Sequence, residues 1–63
     1  MSEHKFVFND VILVRCKYTS SMWNAYFYAH DKSDGIYTIG CDYFSKDRYE
    51  FLPYKGNEYL LGT

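Results

Sequence analysis

His30 and Asp31 are the neighbouring residues in this sequence that most resemble an acid–base pair. A carboxylate can fix the tautomer of an imidazole and orient it as a general base. Adjacent residues of an extended strand, however, point to opposite faces of a sheet, which keeps these two side chains apart. Asp34, Asp42 and Asp47 are typical turn residues, and no Ser or Cys lies in a nucleophile elbow. We therefore expect a protein without catalytic residues, and not an enzyme.

Cys16 and Cys41 are the only two cysteines, and they lie far apart in the chain. They have no metal-ligand spacing, and His4 and His30 complete no recognisable zinc set. We expect two buried or half-buried free thiols, no metal and no cofactor. The alternative is a disulfide between paired strands, which a reducing cytosol disfavours.

The stretch Ser21–His30 carries the residues best suited to binding. Its odd positions alternate bulky with small apolar residues and predict a core face: Trp23, Ala25, Phe27 and Ala29. Its even positions carry large side chains, the aromatic ones with polar tips, and predict a contact surface: Met22, Tyr26, Tyr28 and His30. The alternatives for this second face are the protein's own core and a homodimer interface.

Cations near tyrosines suggest a second kind of binding. Arg15 and Arg48, with nearby Lys and Tyr residues, could contact phosphates and stack on bases, as small barrels do with single strands. The net charge of −1 lacks the excess of cations that general nucleic-acid binding needs. A nucleic-acid-binding module is thus an alternative to protein binding, as is a protein that sequesters a small nucleotide-like molecule.

The chain has 63 residues, a length that predicts one domain over residues 1–63 with a flexible tail over 1–5. Aromatic residues make up 22% of it and must supply most of the core. So little core raises the expectation of self-association. No apolar window reaches the roughly 20 residues of a membrane span, and the first residues do not resemble a signal peptide. We expect a cytoplasmic protein with no membrane contact.

Short runs of β-branched and aromatic residues separated by polar turns predict an all-β fold. The expected strands are Val11–Tyr18, Ser21–His30, Ile36–Gly40 and Tyr49–Pro53, with Phe6–Phe8 as a further edge strand. Asp31–Gly35 is the clearest loop, with Gly35 suited to a positive φ. Asn57–Gly62 predicts one helical turn capped by Asn57. The expected architecture is a small SH3-like barrel or rolled antiparallel sheet of four to five strands with this C-terminal turn.

Three segments of the chain are similar to a known family: Val11–Arg15, Trp23–Asp31 and, most specifically, Pro53–Thr63, which reads PYKGNEYLLGT. They resemble small, largely uncharacterised proteins encoded by phages and prophages. The resemblance implies an origin in a mobile element. It further implies a host-interacting accessory protein, a class that includes inhibitors of bacterial defence. Together with the predicted contact surface, it leads us to expect a non-catalytic protein in the cytoplasm of a bacterial host that binds a host protein or complex.

Overall fold

The computed structural model describes residues 6–63, and the predicted tail over 1–5 lies outside this range. Five antiparallel strands form one open sheet in the order β4-β3-β2-β1-β5, which confirms the predicted all-β fold. A single 3-10 turn, Glu58–Leu60, confirms the predicted helical turn. The strands are β1 (Val11–Cys16), β2 (Asn24–Lys32), β3 (Gly35–Thr38), β4 (Tyr43–Ser45) and β5 (Tyr49–Pro53).

The sheet is rolled, because its two edge strands are joined by a very short connection. In a flat sheet β4 and β5 would lie about 19 Å apart, which is four strand spacings of roughly 4.8 Å. The three residues 46–48 reach about 14 Å at most. The edges therefore approach each other, and the Phe44 and Tyr49 rings meet across the seam at 4.9 Å between centroids.

The inner side of the roll holds the main core. Ile12, Val14, Tyr28 and Ile36 form its buried cluster, and Thr38 is buried too. Partly buried rings close around the cluster: Phe6, Tyr26, Phe44, Tyr49 and Phe51. Ring-to-ring packing thus provides much of the burial that so short a chain needs.

The predicted orientation of β2 is wrong. Tyr28, expected on the contact surface, is only 5% exposed, whereas Phe27, expected in the core, is 54% exposed. Tyr26 also faces inward and packs against Phe44 at 4.8 Å between ring centroids. Ala25 is exposed. Only Trp23 among the predicted core residues of this stretch is buried, and it precedes the strand.

A second, smaller buried region lies on the outer side of β1. Leu13 alternates with Ile12 and Val14 along the strand, so it points away from the main core, yet it has no exposed surface. Arg15, two residues on, lies on the same side with its guanidinium 4.7 Å from the centre of the Trp23 ring. Both faces of β1 are therefore covered within one chain.

The C-terminal segment is held against Trp23 by backbone hydrogen bonds. The Trp23 amide donates to the Thr63 carbonyl at 3.0 Å, and the Gly62 amide donates to the Trp23 carbonyl at 3.0 Å. Gly56 and Gly62 have φ angles of 88° and 82°, which glycine adopts without strain. Asn57 precedes the 3-10 turn as predicted, but its side chain donates backward to the Pro53 carbonyl at 2.9 Å and does not cap it. Most of the distinctive residues in PYKGNEYLLGT thus have a structural role in holding this segment in place.

Two other expectations from the sequence are wrong. Residues 6–8 form no strand, because the Val7 amide donates to the Asp10 carboxylate at 3.0 Å in a turn. Gly35 does not have a positive φ. A side chain at this buried position would instead collide with the Tyr43 ring and would lie 2.6 Å from the Phe44 carbonyl oxygen.

Candidate functional site

A bulge in β2 decides which side chains reach the outer surface. Tyr28 pairs with Thr38, but the next pair is His30 with Tyr37, so one extra residue, Ala29, sits in β2. The extra residue reverses the alternation of faces beyond it. Asp31 consequently joins Tyr28 on the inner side, and His30 turns outward.

The outward side chains form a stack of three rings across β2, β3 and β4. His30 lies parallel to Tyr37, with centroids 4.9 Å apart and planes at 24°. Tyr37 meets Tyr43 at 4.8 Å and 49°. The Tyr43 ring in turn lies across Gly35. Gly35 leaves room for this ring because glycine has no side chain. The position of the last ring therefore depends on a glycine.

Two further apolar residues extend this stack toward β1. Phe27 is outward by alternation, and its carbonyl accepts a hydrogen bond from the Ile39 amide at 2.9 Å. Phe27, Ile39 and Tyr43 are 54%, 43% and 39% exposed. We call the set the outer aromatic face: Phe27, His30, Tyr37, Ile39 and Tyr43. Apolar residues gathered on one exposed surface are typical of a contact site.

Charged groups of both signs border the outer aromatic face. The Lys32 ammonium lies 5.9 Å from the centre of the Tyr37 ring. At the other end, partial burial raises the pKa of Tyr43, and the hydrogen-bonding carboxylate of Asp34 raises it further, with a smaller effect of Asp47. The carboxylates of Asp34 and Asp47 are thus close enough to the phenol to act on it. Within residues 6–63, neither carboxylate forms an ion pair.

The six residues predicted to bind do not form one surface. Tyr26 and Tyr28 face the core, and the bulge places His30 on the opposite side of β2 from them. Met22 is 58% exposed but precedes β2. The predicted row is therefore interrupted twice, because Met22 lies before the start of β2 and the bulge separates His30 from Tyr28.

The two predicted arginines lie elsewhere. Arg15 is held by an ion pair to Glu50, with Nη2–Oε2 at 3.1 Å, and by its contact with Trp23. Arg48 is exposed in the connection between β4 and β5, where its carbonyl accepts a hydrogen bond from the Lys17 amide at 2.7 Å. The binding roles of Met22, His30 and Arg48 stay predictions.

His30 and Asp31 are engaged with different partners. The His30 ring stacks on Tyr37, and the Asp31 carboxylate accepts a hydrogen bond from the Tyr28 hydroxyl at 2.5 Å. Burial first, and then the hydrogen bond and charge of Asp31, raise the pKa of Tyr28 to about 12. Asp31 therefore keeps a buried phenol neutral and does not orient the imidazole.

Both cysteines are free thiols. Cys16 is half-buried as expected, and hydrogen bonds from the Tyr18 backbone and the Thr19 side chain lower its pKa. Cys41 is exposed, contrary to expectation, in a turn where its φ is 71°. No cluster of three or more metal-ligating side chains occurs within residues 6–63.

An open groove of about 400 Å³ lies at the start of β1. Its walls are mainly apolar and comprise Phe6, Asp10, Val11, Pro53, Tyr54 and Lys55. The groove gathers few convergent polar groups, which a small-molecule site would need to orient a ligand.

Sequence reasoning missed Phe27 and Tyr43 as surface residues. The alternation in β3 is a usable signal, because it separates the buried Ile36 and Thr38 from the more exposed Tyr37 and Ile39. Tyr43 lies in a three-residue strand, which is too short to show an alternation.

No protein-family model, curated protein or solved structure matches this chain. Among residues 6–63, no helix has the length and apolar character needed to cross a membrane.

Proposed function

We propose that this protein is a non-catalytic accessory protein of phage or prophage origin that binds a host protein in the bacterial cytoplasm and thereby inhibits a defence system. The origin and the host setting follow from the resemblance of the segments at Val11–Arg15, Trp23–Asp31 and Pro53–Thr63. The binding surface is the outer aromatic face.

The observation that carries this proposal is an exposed aromatic surface on rigid strands. Phe27, His30 and Tyr43 come from β2 and β4, which are joined through β3 by backbone pairing. Rings fixed in this way lose little side-chain entropy when a partner covers them. Tyrosine and histidine also keep a polar tip that can meet a partner's hydrogen-bonding groups.

Charge favours a protein partner over a nucleic acid at this face. A single strand stacked on Tyr37 and Tyr43 would bring its phosphates close to Asp34 and Asp47, and Lys32 is the cation in contact with these rings. Like charges at this distance oppose binding. Arg15 lies over the Trp23 ring, but its guanidinium is already paired with Glu50.

The test compares two single substitutions of exposed aromatic residues. Phe27→Ser removes an apolar side chain from the outer aromatic face, and Tyr59→Ser removes one of 75% exposure from the 3-10 turn. The tagged variants and the wild-type protein are incubated with bacterial lysate, and retained proteins are quantified by mass spectrometry. A host protein is then purified and its affinity measured directly.

We expect a host protein that the wild-type chain and Tyr59→Ser retain equally and that Phe27→Ser retains at least about tenfold less, as a central contact would require. Thermal melts of the same preparations must show all three proteins folded. A partner lost equally with both variants, or no partner at all, would refute the proposal.

A further inference from the structure

The outer aromatic face carries an uneven charge distribution that points to a class of partner. Its rings present electron-rich faces, which attract cations. Asp34 directly precedes Gly35, across which the Tyr43 ring lies, and the carboxylates of Asp34 and Asp47 both raise the pKa of the Tyr43 phenol. Aromatic faces beside carboxylates without an ion pair form an environment that favours a positively charged group.

One cation of the chain already lies over these rings. The Lys32 ammonium lies over the Tyr37 ring, although at 5.9 Å it is near the outer limit for such a contact. Lys32 is exposed, so little holds it there. Its position shows where a cation is attracted, and a better-fitting cation can displace it.

The other lysine near this end of the sheet is already paired. Lys46 contacts Asp31, with Nζ–Oδ2 at 3.8 Å, and its amide donates to the Asp34 carbonyl at 2.9 Å. The side chains of Asp34 and Asp47 thus lack a cation from residues 6–63, and a partner can supply it.

We infer that the outer aromatic face binds a basic segment of a partner protein, whose arginine side chain lies over Tyr37 and Tyr43 and pairs with Asp34 or Asp47. Arginine fits better than lysine, because its planar guanidinium both stacks on a ring and donates to a carboxylate in a fork. The inference rests on the proposed function and specifies the partner's chemistry at the same site.

The test uses short peptides as probes. The ¹⁵N-labelled protein is titrated with acetyl-Gly-Arg-Gly-Arg-Gly-amide and with the same peptide carrying citrulline, which keeps the shape of arginine but has no charge. Amide shifts are followed for Phe27, His30, Tyr37, Ile39 and Tyr43. A single-stranded oligothymidine is titrated in parallel as the anionic alternative.

We expect the arginine peptide to shift resonances of the outer aromatic face. The citrulline peptide should bind about two- to fivefold more weakly, which is the range of an exposed cation–π contact. Added salt weakens the binding of the arginine peptide. At least one of the variants Asp34→Asn and Asp47→Asn reduces its affinity. Glu58→Gln, which neutralises a carboxylate outside this face and keeps its oxygen acceptor, does not.

Two results would overturn the inference: equal shifts with arginine and citrulline peptides, or tighter binding of oligothymidine than of the arginine peptide. The proposed function is judged separately by Phe27→Ser. If that variant still loses a host protein while the arginine peptide shows no preference, the face is an interface and its partner is not basic.

Discussion

The hydrogen bond between Tyr28 and Asp31 makes a quantitative prediction about stability. Tyr28→Phe removes a hydroxyl that is buried and donates to a carboxylate at 2.5 Å. Hydrogen bonds to charged groups contribute about 1.5 to 3 kcal/mol. Asp31 keeps half of its side-chain surface exposed, so water can satisfy the freed oxygen. The expected loss is therefore near the lower end, about 1.5 kcal/mol.

The same residue predicts how stability changes at alkaline pH. The pKa of Tyr28 rises from 10.0 to about 12 on folding, because burial and Asp31 disfavour the phenolate. The folded pKa is the higher one, so this contribution is complete below pH 10 and is lost as the pH rises through 12. Its full size is about 2.7 kcal/mol. Phenylalanine does not ionise, so Tyr28→Phe does not share this loss.

The stabilities of wild-type and Tyr28→Phe proteins are thus expected to cross near pH 11, where the wild-type protein has lost about 1.5 kcal/mol. At pH 8 the variant is less stable by about 1.5 kcal/mol, which lowers the melting temperature by roughly 6 to 12 °C. Urea unfolding of both proteins across pH 8 to 12 measures the difference in free energy of unfolding and its change with pH. Tyr26→Phe is the matched control, because it removes a hydroxyl from the same face and leaves the Tyr28–Asp31 bond. A difference between wild type and Tyr28→Phe that stays constant with pH would contradict the reasoning.

Two substitutions test the fold, and one measurement tests the assembly. Gly35→Ala should lower the free energy of unfolding by about 1 to 3 kcal/mol, because the added methyl collides with Tyr43 and the Phe44 carbonyl; a melting temperature equal to that of wild type would show that Gly35 is dispensable. Trp23→Ala should cost about 3 to 5 kcal/mol, since it empties the buried site against which the C-terminal segment is held; a variant that stays folded by circular dichroism, with an unchanged melting temperature, would contradict this. Self-association, expected from the short chain, is checked by sedimentation at micromolar concentration, where a 7.5 kDa species would contradict it.

The sequence predicted the strands well where side chains alternate and turn residues interrupt them. β5 has the predicted limits, and its Tyr49 and Phe51 both pack on the core. Pro53 ends the strand at a sheet edge, where its missing donor does no harm. These features depend on local chemistry, which a single sequence contains.

The orientation of β2 could not be predicted in the same way. Phe27 is more apolar than Tyr28, so hydrophobicity alone favours the wrong residue for the core. Tyr28 can be buried because its hydroxyl donates a hydrogen bond to the Asp31 carboxylate. Asp31 lies on the same side of β2 as Tyr28 only because of the bulge at Ala29. The bulge has no glycine or proline to mark it, and the outer aromatic face depends on it.

The central claim is that a host protein binds at the outer aromatic face. The most direct measurement is a titration of the ¹⁵N-labelled protein with a host protein captured as described above, with the amide shifts mapped onto the sheet. The account predicts the largest shifts at Phe27, His30, Tyr37, Ile39 and Tyr43. Shifts concentrated instead on the groove between Val11 and Tyr54, or on the exposed Tyr59, would contradict it.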